Sequence, residues 1–107
     1  MIAWLLAFVA TCAFELAVVH RLGPPHRRRL HVGLAAQLAT HPFVWLAMAT
    51  LPGSQLVRLA CVELWATLVE TAIYKRFLGM RGRDAFALSA LANAASLLAV
   101  AAVALLV

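Results

Sequence analysis

Four long apolar stretches run through the chain, separated by three short connections rich in basic residues, glycine or proline. The first covers about residues 1–20 and gives way to the segment 21–31, which Gly23-Pro24-Pro25 punctuates. The second covers about 32–51, the third 55–78 and the fourth 84–107. Pro52-Gly53-Ser54 reads as a tight turn with Ser54 as the N-cap of the third helix. Gly79 suits that helix's C-terminus, Arg81-Gly82-Arg83 makes a short turn, and Asp84 is expected to cap the fourth helix. Each stretch reaches the roughly 20 residues a membrane helix needs, and connections this short make neighbouring helices antiparallel. The predicted fold is all-α: one polytopic domain over residues 1–107, an antiparallel bundle of four transmembrane helices.

Polar residues interrupt these stretches on one side only. Thr11 and Glu15 lie one turn apart, as do Gln37 and His41. Glu63, Thr67, Glu70, Thr71 and Tyr74 follow helical spacing, and Ser89, Asn93 and Ser96 form a matching stripe on the fourth helix. At a rise of about 1.5 Å per residue, Glu70 lies about 12 Å inside its helix end, with His41 and Asn93 near the same level and Glu63 about 10 Å farther on. Glu15 lies nearer the boundary, where it can either face inward or snorkel to an arginine. An unpaired charge at mid-bilayer costs at least about 2.5–3.5 kcal/mol, so Glu70 is expected to be protonated or paired across the bundle. Asn93 and the serines also serve as interhelical hydrogen bonders, and Tyr74 suits an interfacial anchor. Pro42 removes a backbone donor beside His41, which gives either a plain kink or a local opening that exposes backbone oxygen.

Composition agrees with lipid as the solvent: 65% of residues are hydrophobic and 12% charged, against about 45–50% and 25% in soluble domains. Residues 1–19 lack the basic start of a signal peptide, and Glu15 breaks them, so the segment is expected to be a retained helix. Cys12 and Cys61 sit in apolar stretches and read as free thiols.

Charge sets orientation. Arg21, Arg27, Arg28 and Arg29 crowd the first connection, and Lys75, Arg76, Arg81 and Arg83 the third; of the nine Lys and Arg residues only Arg58 lies elsewhere. The positive-inside rule makes that side cytoplasmic and puts both termini outside, in the inner membrane of a bacterium. The net charge of +5 is then a topology signal and predicts no nucleic-acid partner. Arg27, Arg28 and Arg29 are in addition placed to hold anionic lipid headgroups.

The motifs Gln37-Leu38-Ala39-Thr40-His41-Pro42, Glu63-x6-Glu70-x3-Tyr74 and Asn93-Ala94-Ala95-Ser96 resemble those of a family of small bacterial four-helix integral membrane proteins. That family carries asparagine where this chain has Gln37 and His41. The resemblance implies a common polar core and no named activity.

Three functional classes follow. The first is a proton or small-cation pathway, with Glu15, Gln37, His41, Glu63, Thr67, Glu70, Asn93 and Ser96 as its polar core. A unit this small is expected to form a homo-oligomer, through the small residues Ala92, Ala95, Ser96 and Ala99. The second is an accessory subunit whose carboxyls pair with a partner membrane subunit's cations. The third is an intramembrane enzyme with metal on His41, Glu63 and Glu70; no hydrolase or zinc motif supports it. No cofactor is predicted, and a bound cation fits the carboxylates.

Overall fold

The computed structural model describes residues 2–106, apart from the side chains of residues 3, 4, 100, 103, 104 and 106. Its elements are four helices, α1 (Ile2–Leu22), α2 (Arg29–Thr50), α3 (Gln55–Leu78) and α4 (Gly82–Leu106). The outermost positions of the first and last predicted spans, Met1 and Val107, fall outside the described residues. Each helix packs against its sequence neighbours, α4 closes back on α1, and among the described residues the diagonal pairs do not touch. The arrangement is a four-membered ring, tightest between α1 and α4 and thinnest between α1 and α2.

Local chemistry explains the helix ends. Ser54 is extended, and its hydroxyl accepts from the Val57 amide at 3.2 Å, capping α3. Gly79 ends α3 in the left-handed conformation at φ 64°, which a glycine adopts without steric cost. Three expected boundaries move by two residues or more, the first being α1, which runs on to Leu22. Helix α2 starts at Arg29, three residues early, because the turn at His26 (Arg29 amide to His26 carbonyl, 3.1 Å) leads straight into it. Helix α4 starts at Gly82, so Asp84 does not cap it. Asp84 lies inside the first turn, where its charge meets the positive end of the helix dipole.

The distribution of side chains is the reverse of a water-soluble bundle. Thr11, Glu15, Gln37, Thr40, His41, Thr67, Glu70, Ser89, Asn93 and Ser96 are buried, while large apolar side chains cover the outside. Leu56 is 76% exposed, Leu98 73% and Leu64 57%. Among the described residues, α1 over Leu5–Leu22 and α2 over Arg29–Thr50 are long and apolar enough to cross a membrane. All four helices have at least 21 residues, but among the described residues α3 and α4 do not combine that length with the same apolarity.

The two ends of the ring differ. At the end carrying the α1–α2 and α3–α4 connections, Val19, Ala36, Tyr74, Leu78, Ala85 and Leu88 form a buried, largely apolar cluster. Gly33 belongs to this closure: a Cβ there would lie 3.0 Å from Leu16 Cδ2 and 3.6 Å from Val19 Cγ2, so its absence lets α1 and α2 meet closely. Tyr74, expected at the interface, is fully buried in this cluster instead. Helical spacing from Glu70 sets it on the inward face, and that outweighs the amphipathic preference of its ring.

Candidate functional site

Above the apolar cluster the ring encloses a cavity of about 470 Å³. Its lining climbs from Glu15, Gln37, Thr40, Glu70 and Asn93 past Glu63 to Met48, Gln55, Leu59 and Ala101. It therefore opens toward the end that bears the termini and the 51–54 turn, and polar side chains form its floor.

Glu70, on α3, is the centre of the floor. It is 1% exposed. Its Oε1 lies 3.1 Å from Asn93 Nδ2 and 3.4 Å from the Ser89 hydroxyl, both on α4; its Oε2 lies 3.2 Å from the Thr40 hydroxyl on α2. Three helices are thus joined through one carboxyl. The donors have other claims on them. Thr40 also reaches the Ala36 carbonyl at 2.9 Å, and Ser89 reaches the Thr67 carbonyl at 3.0 Å. Asn93 Nδ2 reaches Thr67 Oγ1, the Ser89 carbonyl and Ser89 Oγ as well. A hydroxyl has one proton and an amide two, so these donors cannot serve every acceptor within reach at once.

Glu15, on α1, accepts from Gln37 Nε2 at 2.7 Å. It is 2% exposed, so it faces inward and does not snorkel to an arginine. His41 lines the same cavity. Its Nε2 accepts from Trp45 Nε1 at 2.6 Å, which puts the ring proton on Nδ1. Its ring also tilts against Phe8 at 4.8 Å between centroids. Ser96 bonds to the Asn93 carbonyl at 2.9 Å. Thr67 supplies a hydroxyl acceptor to Asn93 and a carbonyl acceptor to Ser89 and Thr71. Glu63 lies along the wall, two turns of α3 from Glu70 toward the opening. Its Oε2 is shut off from solvent and has no hydrogen-bond donor among the described residues.

The structure thus brings Glu15, Gln37, His41, Glu63, Glu70, Asn93 and Ser96 to one cavity, with Thr67 bonded behind it. Two partners carried too little sequence signal to be named as site residues. Thr40 is a single threonine beside the more conspicuous His41-Pro42. Trp45 shows its link to His41 only through i, i+4 spacing. Pro42 lies with Leu38 on the exposed face of an unbroken α2, so the carbonyl it leaves without a donor is on the outer side, away from the cavity. Of the small residues expected at an oligomer contact, Ala92, Ser96 and Ala99 are buried inside the ring and Ala95 is half-buried.

Among the described residues no three His, Cys, Asp or Glu side chains gather closely enough to hold one metal ion. The expected trio of His41, Glu63 and Glu70 therefore shares a cavity without forming a metal cage. Arg27 and Arg28 are exposed at the opposite end. Arg29 turns into the first turn of α2, where its Nη2 meets His20 Nδ1 at 3.2 Å. The closest ion pair among the described residues is Arg83 to Asp84, at 3.9 Å on the surface, so the three interior carboxyls have no basic side chain beside them. No family model, curated protein or solved structure matches the chain.

Proposed function

We propose that this chain is a four-span protein of the bacterial inner membrane, with both termini outside, that binds protons or small cations in its cavity and moves them across the bilayer. The observation that carries this reading is three carboxyls lining one cavity with no basic side chain bonded to them among the described residues, in a ring whose exterior is leucine and phenylalanine. A buried, unpaired carboxylate charge is costly, and a proton or a cation offsets the charge of Glu15, Glu63 and Glu70. The exposed apolar surface on all sides fits lipid and fits water poorly. The basic residues at the closed end fit the cytoplasmic side, with Arg27, Arg28 and Arg29 near anionic headgroups. The resemblance to small bacterial membrane proteins is in keeping with this location.

The closed end favours a binding site reached alternately from the two sides over a standing pore. A second copy, or another membrane subunit, would cover part of the exposed leucine surface. An accessory subunit is the second reading, favoured by the same lack of intrachain cations beside Glu15, Glu63 and Glu70. Purified protein in proteoliposomes containing a pH dye decides between them. Wild-type protein should carry protons or sodium, and Glu70→Gln should fold and lose that flux. A fully active Glu70→Gln protein would remove Glu70 from the pathway, and wild-type protein that carries neither ion would overturn the pathway reading and support the accessory subunit.

A further inference from the structure

We infer that the preferred ligand of this cavity is an organic ammonium ion with an apolar body, held by Glu63. This rests on the cation-binding reading above and narrows it from inorganic ions to a protonated amine.

Size is the first argument. A cavity of about 470 Å³ falls in the range of small-molecule sites, roughly 300–1,000 Å³. A water molecule takes about 30 Å³, so a proton or a bare monovalent ion leaves most of the space to be filled by something else. The walls toward the opening are Val44, Met48, Leu59 and Leu97, which offer water few hydrogen bonds and offer an aliphatic or aromatic group close contact.

The second argument is the distribution of donors. Glu70 receives Thr40, Ser89 and Asn93, and Glu15 receives Gln37. Glu63 Oε2 receives none among the described residues, although it is closed off from solvent. Glu63 also stands between the polar floor and the apolar mouth. A primary ammonium carries up to three N–H donors on one charge. With its nitrogen on the cavity side of Glu63, it pairs with the carboxylate charge and leaves its apolar body against Leu59, Met48 and Leu97. A divalent metal needs several ligands at once, and no such group forms among the described residues. No covalent step is involved; the N–H groups donate to the carboxylate and the ammonium keeps its protons.

The test uses the full chain in nanodiscs of uncharged phosphatidylcholine, with 1-naphthylmethylammonium as probe and the neutral 1-naphthalenemethanol as its isostere. Equilibrium dialysis against empty nanodiscs reads binding beyond lipid partition. The ammonium should bind saturably, and sodium chloride at equal ionic strength should not displace it. Glu63→Gln should weaken binding about tenfold or more, as loss of a charge-assisted hydrogen bond implies. Leu59→Trp narrows the cavity while keeping the carboxylate, and should weaken binding even if Glu63→Gln fails to fold. Equal binding of the alcohol, unchanged binding in Glu63→Gln, or unchanged binding in Leu59→Trp would each overturn the inference. Proton flux without amine binding refutes this inference and spares the pathway reading. Saturable amine binding with no proton or sodium flux does the opposite.

Discussion

Replacing Glu70 by leucine removes the one side chain that touches α2 and α4 from α3 at the cavity floor. The hydrogen bonds it takes away are those from Thr40, Ser89 and Asn93, at 3.2, 3.4 and 3.1 Å. If all three donors were orphaned in an apolar interior, each would cost about 1–3 kcal/mol. The structure argues for less. Thr40 keeps the Ala36 carbonyl, Ser89 keeps the Thr67 carbonyl, and Asn93 keeps Thr67 Oγ1 and the Ser89 carbonyl. Each donor therefore has a local acceptor, and only the bonds to the carboxyl between helices disappear. Such interhelical bonds average about 0.6 kcal/mol in a membrane protein, so three of them put the cost of Glu70→Leu at about 2 kcal/mol. Glu70→Gln should stay within about 1 kcal/mol of wild type, because its amide adds protons to a network short of them and Thr40 Oγ1 can accept one. Unfolding of purified protein by dodecyl sulfate in mixed micelles, followed by tryptophan fluorescence, measures both. A Glu70→Leu protein that fails to fold would refute the reasoning, because the local acceptors would not have compensated. A Glu70→Gln protein less stable than Glu70→Leu would refute it too.

Four other outcomes are expected. Tyr74 is fully buried, and its hydroxyl has no partner among the described residues, so Tyr74→Phe should raise stability by about 1 kcal/mol; a drop in the same unfolding assay would mean that the hydroxyl has a partner. Gly33→Val puts a branched side chain where Cβ alone is 3.0 Å from Leu16 Cδ2, and should cost about 1–3 kcal/mol by overpacking; wild-type stability would show that α1 and α2 part easily. Single cysteines at Arg28 and Arg81, in a background without Cys12 and Cys61, should resist an impermeant thiol reagent added outside intact cells, while one at Ser54 should label; labelling at Arg28 would reverse the orientation. Neutralising Arg27, Arg28 and Arg29 together should lower retention of anionic lipid on purification, at about 1 kcal/mol per basic residue; equal retention would remove the headgroup role.

The four helices are legible in the sequence because their ends are chemically marked. Ser54 and Gly79 carry capping chemistry that acts over one turn and does not depend on tertiary context. The start of α2 is less legible, since Arg29 carries no helix-start signal and the turn at His26 sets the boundary. Spacing along each helix identifies the polar faces, because a 3.6-residue period fixes which side chains share a face wherever the helix packs. What spacing does not provide is azimuth between helices. The choice of Thr40 over His41 as the partner of Glu70 depends on how α2 rotates against α3, and no single-helix pattern encodes it. The same limit misplaces the small residues of α4. Ala92, Ser96 and Ala99 do permit close approach, but the helix they approach belongs to their own chain.

The two ends of the ring bear on mechanism more than any single residue does. A continuous pore needs polar or wettable groups along its whole length, yet below Glu15 and Glu70 the interior changes to Val19, Ala36, Tyr74, Leu78, Ala85 and Leu88, all buried. The cavity-lining polar groups stop near the level of Glu15, Gln37 and Glu70. The loops at the other end supply their cations to the surface and none to the interior. An ion at the floor of the cavity would meet an apolar plug about two helical turns thick, or about 11 Å at 5.4 Å per turn. Passage then requires the plug to part. The thinnest seam of the ring is α1 against α2, where Gly33 replaces a side chain with close backbone approach. Below Glu15–Gln37 this seam is bridged again only at its outer edge, where Arg29 Nη2 meets His20 Nδ1 at 3.2 Å among the described residues. The α3–α4 side is tied by more bonds, those of Asn93 and Ser89 to Thr67 and Glu70. Movement of α1 and α2 apart at the basic end, with α3 and α4 held together as a unit, is the transition that this distribution of bonds favours.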